Sequence, residues 1–126
     1  MELIRTLLLR LEALEIWPGQ IMLIDGSTEG VGIPGRDVNQ INYHLGLLQQ
    51  KGMFNSPGKN GMDNRLRFAG LTWEGHDLLD SIKNDEVWRL TKDTADGIGS
   101  WTVEIIKELA KGFIKKQIEE RTGLKI

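Results

Sequence analysis

Apolar residues recur at three- and four-residue intervals along much of the chain, and these stretches outline its elements. Leu3, Ile4, Leu7, Leu8, Leu11 and Leu14 share one face, with Glu2, Arg5, Arg10, Glu12 and Glu15 opposite, which predicts an amphipathic helix over 1–15. Pro18-Gly19 ends it, and Gln20 to Ile24, apolar and bounded by Pro-Gly and Asp-Gly, reads as a buried strand. Asp25 to Gly35 is glycine-rich loop, with a brief extended piece at Val31 to Ile33. Asp37 is a suitable N-cap for a helix whose Val38, Ile41, Leu45 and Leu48 face inward, closed by Lys51-Gly52. Met53 to Asn55 starts a strand, Ser56 to Asn64 is a polar tip, and Arg65 to Leu71 returns as a second strand.

Thr72 caps the next predicted helix, Trp73 to Lys83. Asn84 and Asp85 break the chain before another from Glu86 to Ala95. Gly97-Ile98-Gly99 reads as a linker, and Ser100 as the cap of a last helix, Trp101 to Arg121, stopped by Gly123. Helix, strand, polar tip and strand in this order predict an α+β winged-helix domain over 1–96. Residues 97–126 then form an additional C-terminal helical element that serves dimerisation.

Charge sharpens this outline. The chain of 126 residues carries a net −2, yet the stretch 36–70 holds Arg36, Lys51, Lys59, Arg65 and Arg67 against Asp37 and Asp63 alone. Positive charge is thus concentrated on the middle helix and the wing, where a DNA-binding domain needs it. With no cysteine, disulfides, thiol nucleophiles and cysteine-ligated zinc are excluded. The apolar N-terminal stretch is punctuated by charges and lacks a small-residue cleavage site, so it reads as a helix rather than an export signal. No apolar run approaches the roughly 18 residues of a membrane span. A cytoplasmic setting is expected, with no membrane partner.

Candidate chemistry centres on the helix from Val38 to Lys51. Its outer face gathers Asn39, Asn42, Tyr43, Gly46 and Gln50. Asn and Gln can pair bidentately with an adenine edge, and Gly46 would let a nucleic-acid backbone come close. An ordinary solvated face is the competing reading, since this face lacks arginine, the commonest base reader. The wing supplies the other half: Lys59, Arg65 and Arg67 are the phosphate-contacting type, although solubilising edge strands carry the same residues. The expected nucleic-acid-binding set is Arg36, Asn39, Asn42, Tyr43, Lys59, Arg65 and Arg67.

Other features have structural explanations. His44 and His76 are too far apart in sequence for a zinc motif, and His44 is expected to be hydrogen-bonded and partly buried. Asp77 and Asp80 resemble a carboxylate pair, but no nucleophile–base–orienter set accompanies them, so no enzyme, metal or cofactor is expected. The glycines from Gly26 to Gly35 match no phosphate-binding pattern. Trp73, Trp88 and Trp101 are expected in the core. The apolar stripe of the last helix, with Ile105, Leu109, Phe113 and Ile118, points to a homodimer, or else packs back on the first helix.

Two motifs resemble known proteins. Ile41 to Met53, with its His-Leu-x-x-Leu-x-x-x-Gly run, resembles the recognition helix of winged helix-turn-helix regulators. Leu71-Thr72-Trp73-Glu74-Gly75-His76-Asp77-Leu78-Leu79-Asp80, followed by Asn84-Asp85-Glu86-Val87-Trp88, is more distinctive. It is similar to the signature of an uncharacterised family of short bacterial proteins, frequent in prophages and mobile elements and classed as a domain of unknown function. That resemblance covers about residues 1 to 116; it implies a winged-helix fold and a bacterial or phage cytosolic setting, and brings no catalytic residues. One departure stands out: the glycine-rich loop before the middle helix leaves no room for a helper helix, so standard repressor docking is not implied. Two functions therefore remain in view. One is a DNA-binding regulator or accessory factor on double-stranded DNA. The other is a protein-interaction adaptor that engages a host protein.

Overall fold

A computed structural model describes residues 2–60, 63 and 65–123. Among the described residues the chain is α+β, with five helices and one two-stranded antiparallel sheet. It divides into two compact units, Met1–His76 and Asp77–Ile126.

In the first unit, α1 (Glu2–Ala13) buries Leu3, Ile4, Leu7, Leu8 and Leu11. Burying such side chains contributes about 1.5–3 kcal/mol each, which outweighs the weak intrinsic preference of a short helix. This face packs against α2 (Val38–Gln50), whose Ile41, Leu45 and Leu48 are buried. Val38, expected inward, is exposed because it lies in the first turn. The Asp37 carboxylate accepts the Asn39 amide at 2.8 Å and caps α2, and Lys51-Gly52 closes it, with Gly52 in the left-handed region.

Strand β1 (Met22–Ile24) pairs antiparallel with β2 (Leu66–Phe68), setting Leu23 opposite Arg67. The strand expected to be buried is buried on one side: Ile24 is inside, while Ile21 and Leu23 are exposed. A two-stranded antiparallel sheet has only one packed side. The segment Met53 to Asn55 forms no full strand. Phe54 makes a single bridge to Leu71, and Asn55 exchanges main-chain bonds with Gly70 and Ala69, each at 2.8 Å. The Phe54 and Phe68 rings meet at 5.5 Å on the buried side. Gly61, Met62 and Asn64 of the expected polar tip lie outside the described residues.

Helix α3 (Trp73–Ile82) is capped by the Thr72 hydroxyl, which accepts the Gly75 amide at 3.1 Å. A Cβ at Gly75 would overlap the Met53 carbonyl oxygen, so the start of α3 is in backbone contact with the end of the 50–53 turn. Trp73 is 85% exposed, which corrects its assignment to the core.

In the second unit, α4 (Asp85–Ile98) and α5 (Val103–Thr122) pack together, joined by a short link. Asn84 caps α4 by accepting the Val87 amide at 3.0 Å. Gly97, expected in a linker, is helical, and left-handed Gly99 is the stop. The cap of α5 is Thr102, not Ser100; its hydroxyl accepts the Ile105 amide at 3.2 Å. Trp88 is buried and its ring meets Trp101 at 6.4 Å. The Asp77 carboxylate binds Lys107 Nζ at 2.7 Å and Lys111 Nζ at 3.2 Å, tying α3 to α5. The Lys107 ammonium is the main reason this carboxyl is held below its ordinary range.

Candidate nucleic-acid interface

Helix α2 presents the face that its sequence pattern demands. With Ile41, Leu45 and Leu48 buried, Asn39, Asn42 and Tyr43 are exposed, Tyr43 by 65%. A Cβ at Gly46 would meet nothing within 4 Å, so the helix backbone is bare at its centre. His44 is half-buried; its Nδ1 lies 2.8 Å from the Gln40 carbonyl oxygen, and its ring meets Tyr43 edge-on at 5.5 Å.

Support for α2 comes from the loop before it. Residues 26–31 form turns and not an extended piece, and Val31 is buried. Gly26 lies against α2: a Cβ there would stand 2.7 Å from the Val38 carbonyl oxygen and 3.1 Å from Ile41 Cβ. At this crossing the Gly26 amide donates to Asn42 Oδ1 at 2.6 Å. Asn42 Oδ1 is therefore partly committed inside the fold, one lone pair being given to Gly26, while its Nδ2 donors are left for a ligand.

The basic residues on and beside β2 differ in availability. Arg65 Nε donates to Asp63 Oδ2 at 2.7 Å. That bond is the first cause of the lowered Asp63 carboxyl. Asp25 is held low chiefly by the Ser27 hydroxyl and amide, with the charge of Arg65 a smaller contribution in the same direction. Arg65 thus faces two carboxylates, Asp63 directly and Asp25 at longer range. Arg67 is half-buried and lies over Gly58, its Nη1 3.2 Å from where a Cβ would be; its Nε is buried without a protein partner. Lys59 and Arg36 are exposed. Arg36 precedes the N-terminus of α2, and Lys59 lies in the loop that follows its C-terminus.

Sequence reasoning missed the link between helix and wing. Gln49 Nε2 donates to Ser56 Oγ at 2.8 Å and to Asn60 Oδ1 at 2.7 Å, and Asn60 Nδ2 returns a bond to Gln49 Oε1 at 3.2 Å. Carboxamides in polar segments hint at such pairing, but no local spacing specifies it.

The residues expected to dimerise are partly covered. Ile105, Leu109 and Phe113 are half-buried, and Ile118 remains exposed. Beside them lies an open groove of about 220 Å³ lined by Glu86, Leu90, Phe113, Lys116, Gln117 and Glu120. His76 is exposed, with Nδ1 4.0 Å from Glu12 Oε2, and Asp80 is exposed. No group of three metal-ligating side chains occurs among the described residues. No helix among them is long and apolar enough to cross a membrane.

These features define a small α+β protein whose central helix exposes a carboxamide-rich face. Residues 1–101 match the family described as "Hypothetical protein (DUF2513)", and the chain belongs to that family. It is also 34% identical over 119 residues to an uncharacterized protein of Haemophilus influenzae, covering 93% of this chain and 95% of that relative. No solved structure matches.

Proposed function

We propose that this chain is a winged-helix DNA-binding protein, a regulator or accessory factor of phage or mobile-element origin acting in the cytosol. The observation that carries the reading is the outer face of α2, where Asn39, Tyr43 and the bare backbone at Gly46 are open to solvent. The element order α1, β1, α2, β2, with β1 paired to β2 beyond α2, supports it as well. In this reading Asn39 and Tyr43 meet bases or phosphates. Asn42 contributes its amide donors, and Arg36, Lys59 and Arg67 contact the backbone. Arg65 is paired with Asp63. The stripe of Ile105, Leu109, Phe113 and Ile118 joins two copies into a dimer, which light scattering would report.

Fluorescence anisotropy with mixed-sequence duplexes at low salt tests the reading. Dissociation constants of about 10⁻⁴–10⁻⁶ M are expected for non-specific binding. No change in anisotropy up to ~100 μM protein would sink it. One observation favours a second, adaptor reading: the 85% exposed Trp73 is the kind of aromatic anchor that protein interfaces use. In that case Trp73→Ala abolishes partner binding while substitutions at Arg36 and Lys59 leave it intact.

A further inference from the structure

We infer that Gln49 is a positioning residue: it latches the 56–60 loop to the last turn of α2 and so fixes where Lys59 stands beside the helix's outer face. The latch itself stands on geometry alone; its consequence for binding rests on the DNA reading above.

Gln49 is placed for this. It follows Asn42 and Gly46 at i+7 and i+3, on the flank of the same outward face. Its amide donates twice, to Ser56 Oγ and Asn60 Oδ1, and its carbonyl oxygen accepts from Asn60 Nδ2. The carboxamide is donor and acceptor in one planar group, whereas a Glu carboxylate only accepts and Leu does neither, so either residue here would break the exchange. The loop needs such a tie. Its main-chain bonding to residues 69 and 70 is made by Asn55. Beyond that point Pro57 cannot donate, and exposed Gly58 and Lys59 favour an open chain. Arg67, lying over Gly58, holds the loop's other side. Three side-chain bonds between two carboxamides and a serine therefore decide whether Lys59 is carried by α2 or moves independently of it.

The test combines hydrogen exchange with salt-dependent DNA binding. In the free protein, Gln49→Ala and Asn60→Ala are each expected to speed exchange of the Asn55 and Ala69 amides, the hydrogen-bonded pair at the base of the loop, about tenfold, with thermal stability nearly unchanged. The double variant should add little to either. The reciprocal exchange Gln49→Asn with Asn60→Gln should restore much of the protection, which a merely structural loss would not do. On DNA, Gln49→Ala should weaken binding several-fold while leaving the salt slope within experimental error. Lys59→Ala, which removes a contact, should reduce that slope by about 0.9. Unchanged loop exchange in Gln49→Ala, or additive effects of Gln49→Ala and Asn60→Ala, overturns the latch. Faster loop exchange in a protein that binds no duplex leaves the latch standing and overturns the DNA reading instead.

Discussion

Gly75→Ala is the substitution the packing judges most severely. A Cβ at this position overlaps the Met53 carbonyl oxygen and would stand 2.9 Å from the carbonyl carbon, which is backbone and cannot rotate aside. The same carbonyl accepts the Thr72 amide at 3.0 Å, and the Thr72 hydroxyl donates to the neighbouring Gly52 carbonyl at 2.5 Å. Making room moves the start of α3 away from residues 52–53 and stretches both bonds. Overpacking costs about 1–3 kcal/mol, and a weakened hydrogen bond adds about 1, giving roughly 2–4 kcal/mol in all. At about 4 °C per kcal/mol for a chain of this size, Tm should fall by about 8–16 °C. Gly46→Ala is the matched control, because it places the same methyl in α2 where nothing lies within 4 Å. There, relief of the glycine penalty should raise stability by about 0.5–1 kcal/mol. Thermal and urea unfolding followed by circular dichroism measures both. A Gly75→Ala protein melting within about 2 °C of wild type, or a loss of stability in Gly46→Ala, would refute this account of the packing.

Salt dependence tests the charge assignment. With Arg36, Lys59 and Arg67 as the phosphate contacts, log K should fall with log salt at a slope of about −2.7, roughly 40-fold between 50 and 200 mM. Because Asp63 holds Arg65, Asp63→Asn should tighten binding and steepen the slope by nearly one contact, whereas Arg65→Ala should change little; a large loss in Arg65→Ala contradicts the assignment. The Asp77 carboxyl is lowered by Lys107 first and Lys111 second. Its contribution is therefore present above the ordinary carboxylate range and lost as pH falls through the lowered value. Asp77→Asn should cost about 0.5–1 kcal/mol near neutral pH, and the gap in urea midpoints should close in acid; a pH-independent gap would exclude the ion pairs as its source. Trp73→Ala should leave stability within about 0.5 kcal/mol, while Trp88→Ala should cost about 3–5. Equal effects in urea unfolding would contradict the difference in burial.

Local pattern made the helices legible where one face does most of the packing. The 3–4 spacing of Leu3 to Leu11 and the Asp37 cap define α1 and α2 to within a residue or two. Boundaries failed where two plausible caps compete, as with Ser100 and Thr102. The ring size of Trp73 suggests the core, but its angle on α3 points it to solvent. It lies five residues before buried Leu78, about 140° around the helix at 3.6 residues per turn. Strand burial was misjudged because an apolar run does not reveal how many sheet faces are covered. The basic wing was visible as a charge excess, but Asp63 and Asp25 around Arg65 become relevant only when strand and loop are brought together.

The same limit applies to α2, where residues that look alike in sequence have different duties. Asn39 and Asn42 both read as adenine-recognising side chains, and bidentate recognition needs a free acceptor and a free donor on one amide. The Oδ1 of Asn42 is taken by the Gly26 amide at 2.6 Å, at a point where Gly26 is pressed against the Val38 carbonyl. Asn42 thus ties the preceding loop to α2, and that bond competes with any use of its Oδ1 outside the fold. Asn42→Asp separates the two duties. The aspartate retains an acceptor for Gly26, so Tm should stay within about 2 °C, but the outward donors become an oxygen that repels phosphate. DNA affinity should then fall by about tenfold or more, while Asn42→Ala should lose both affinity and about 1–2 kcal/mol of stability by leaving the Gly26 amide unpaired. If Asn42→Asp and Asn42→Ala destabilise the protein equally, the bond to Gly26 does not support α2 and the loop before it has another anchor.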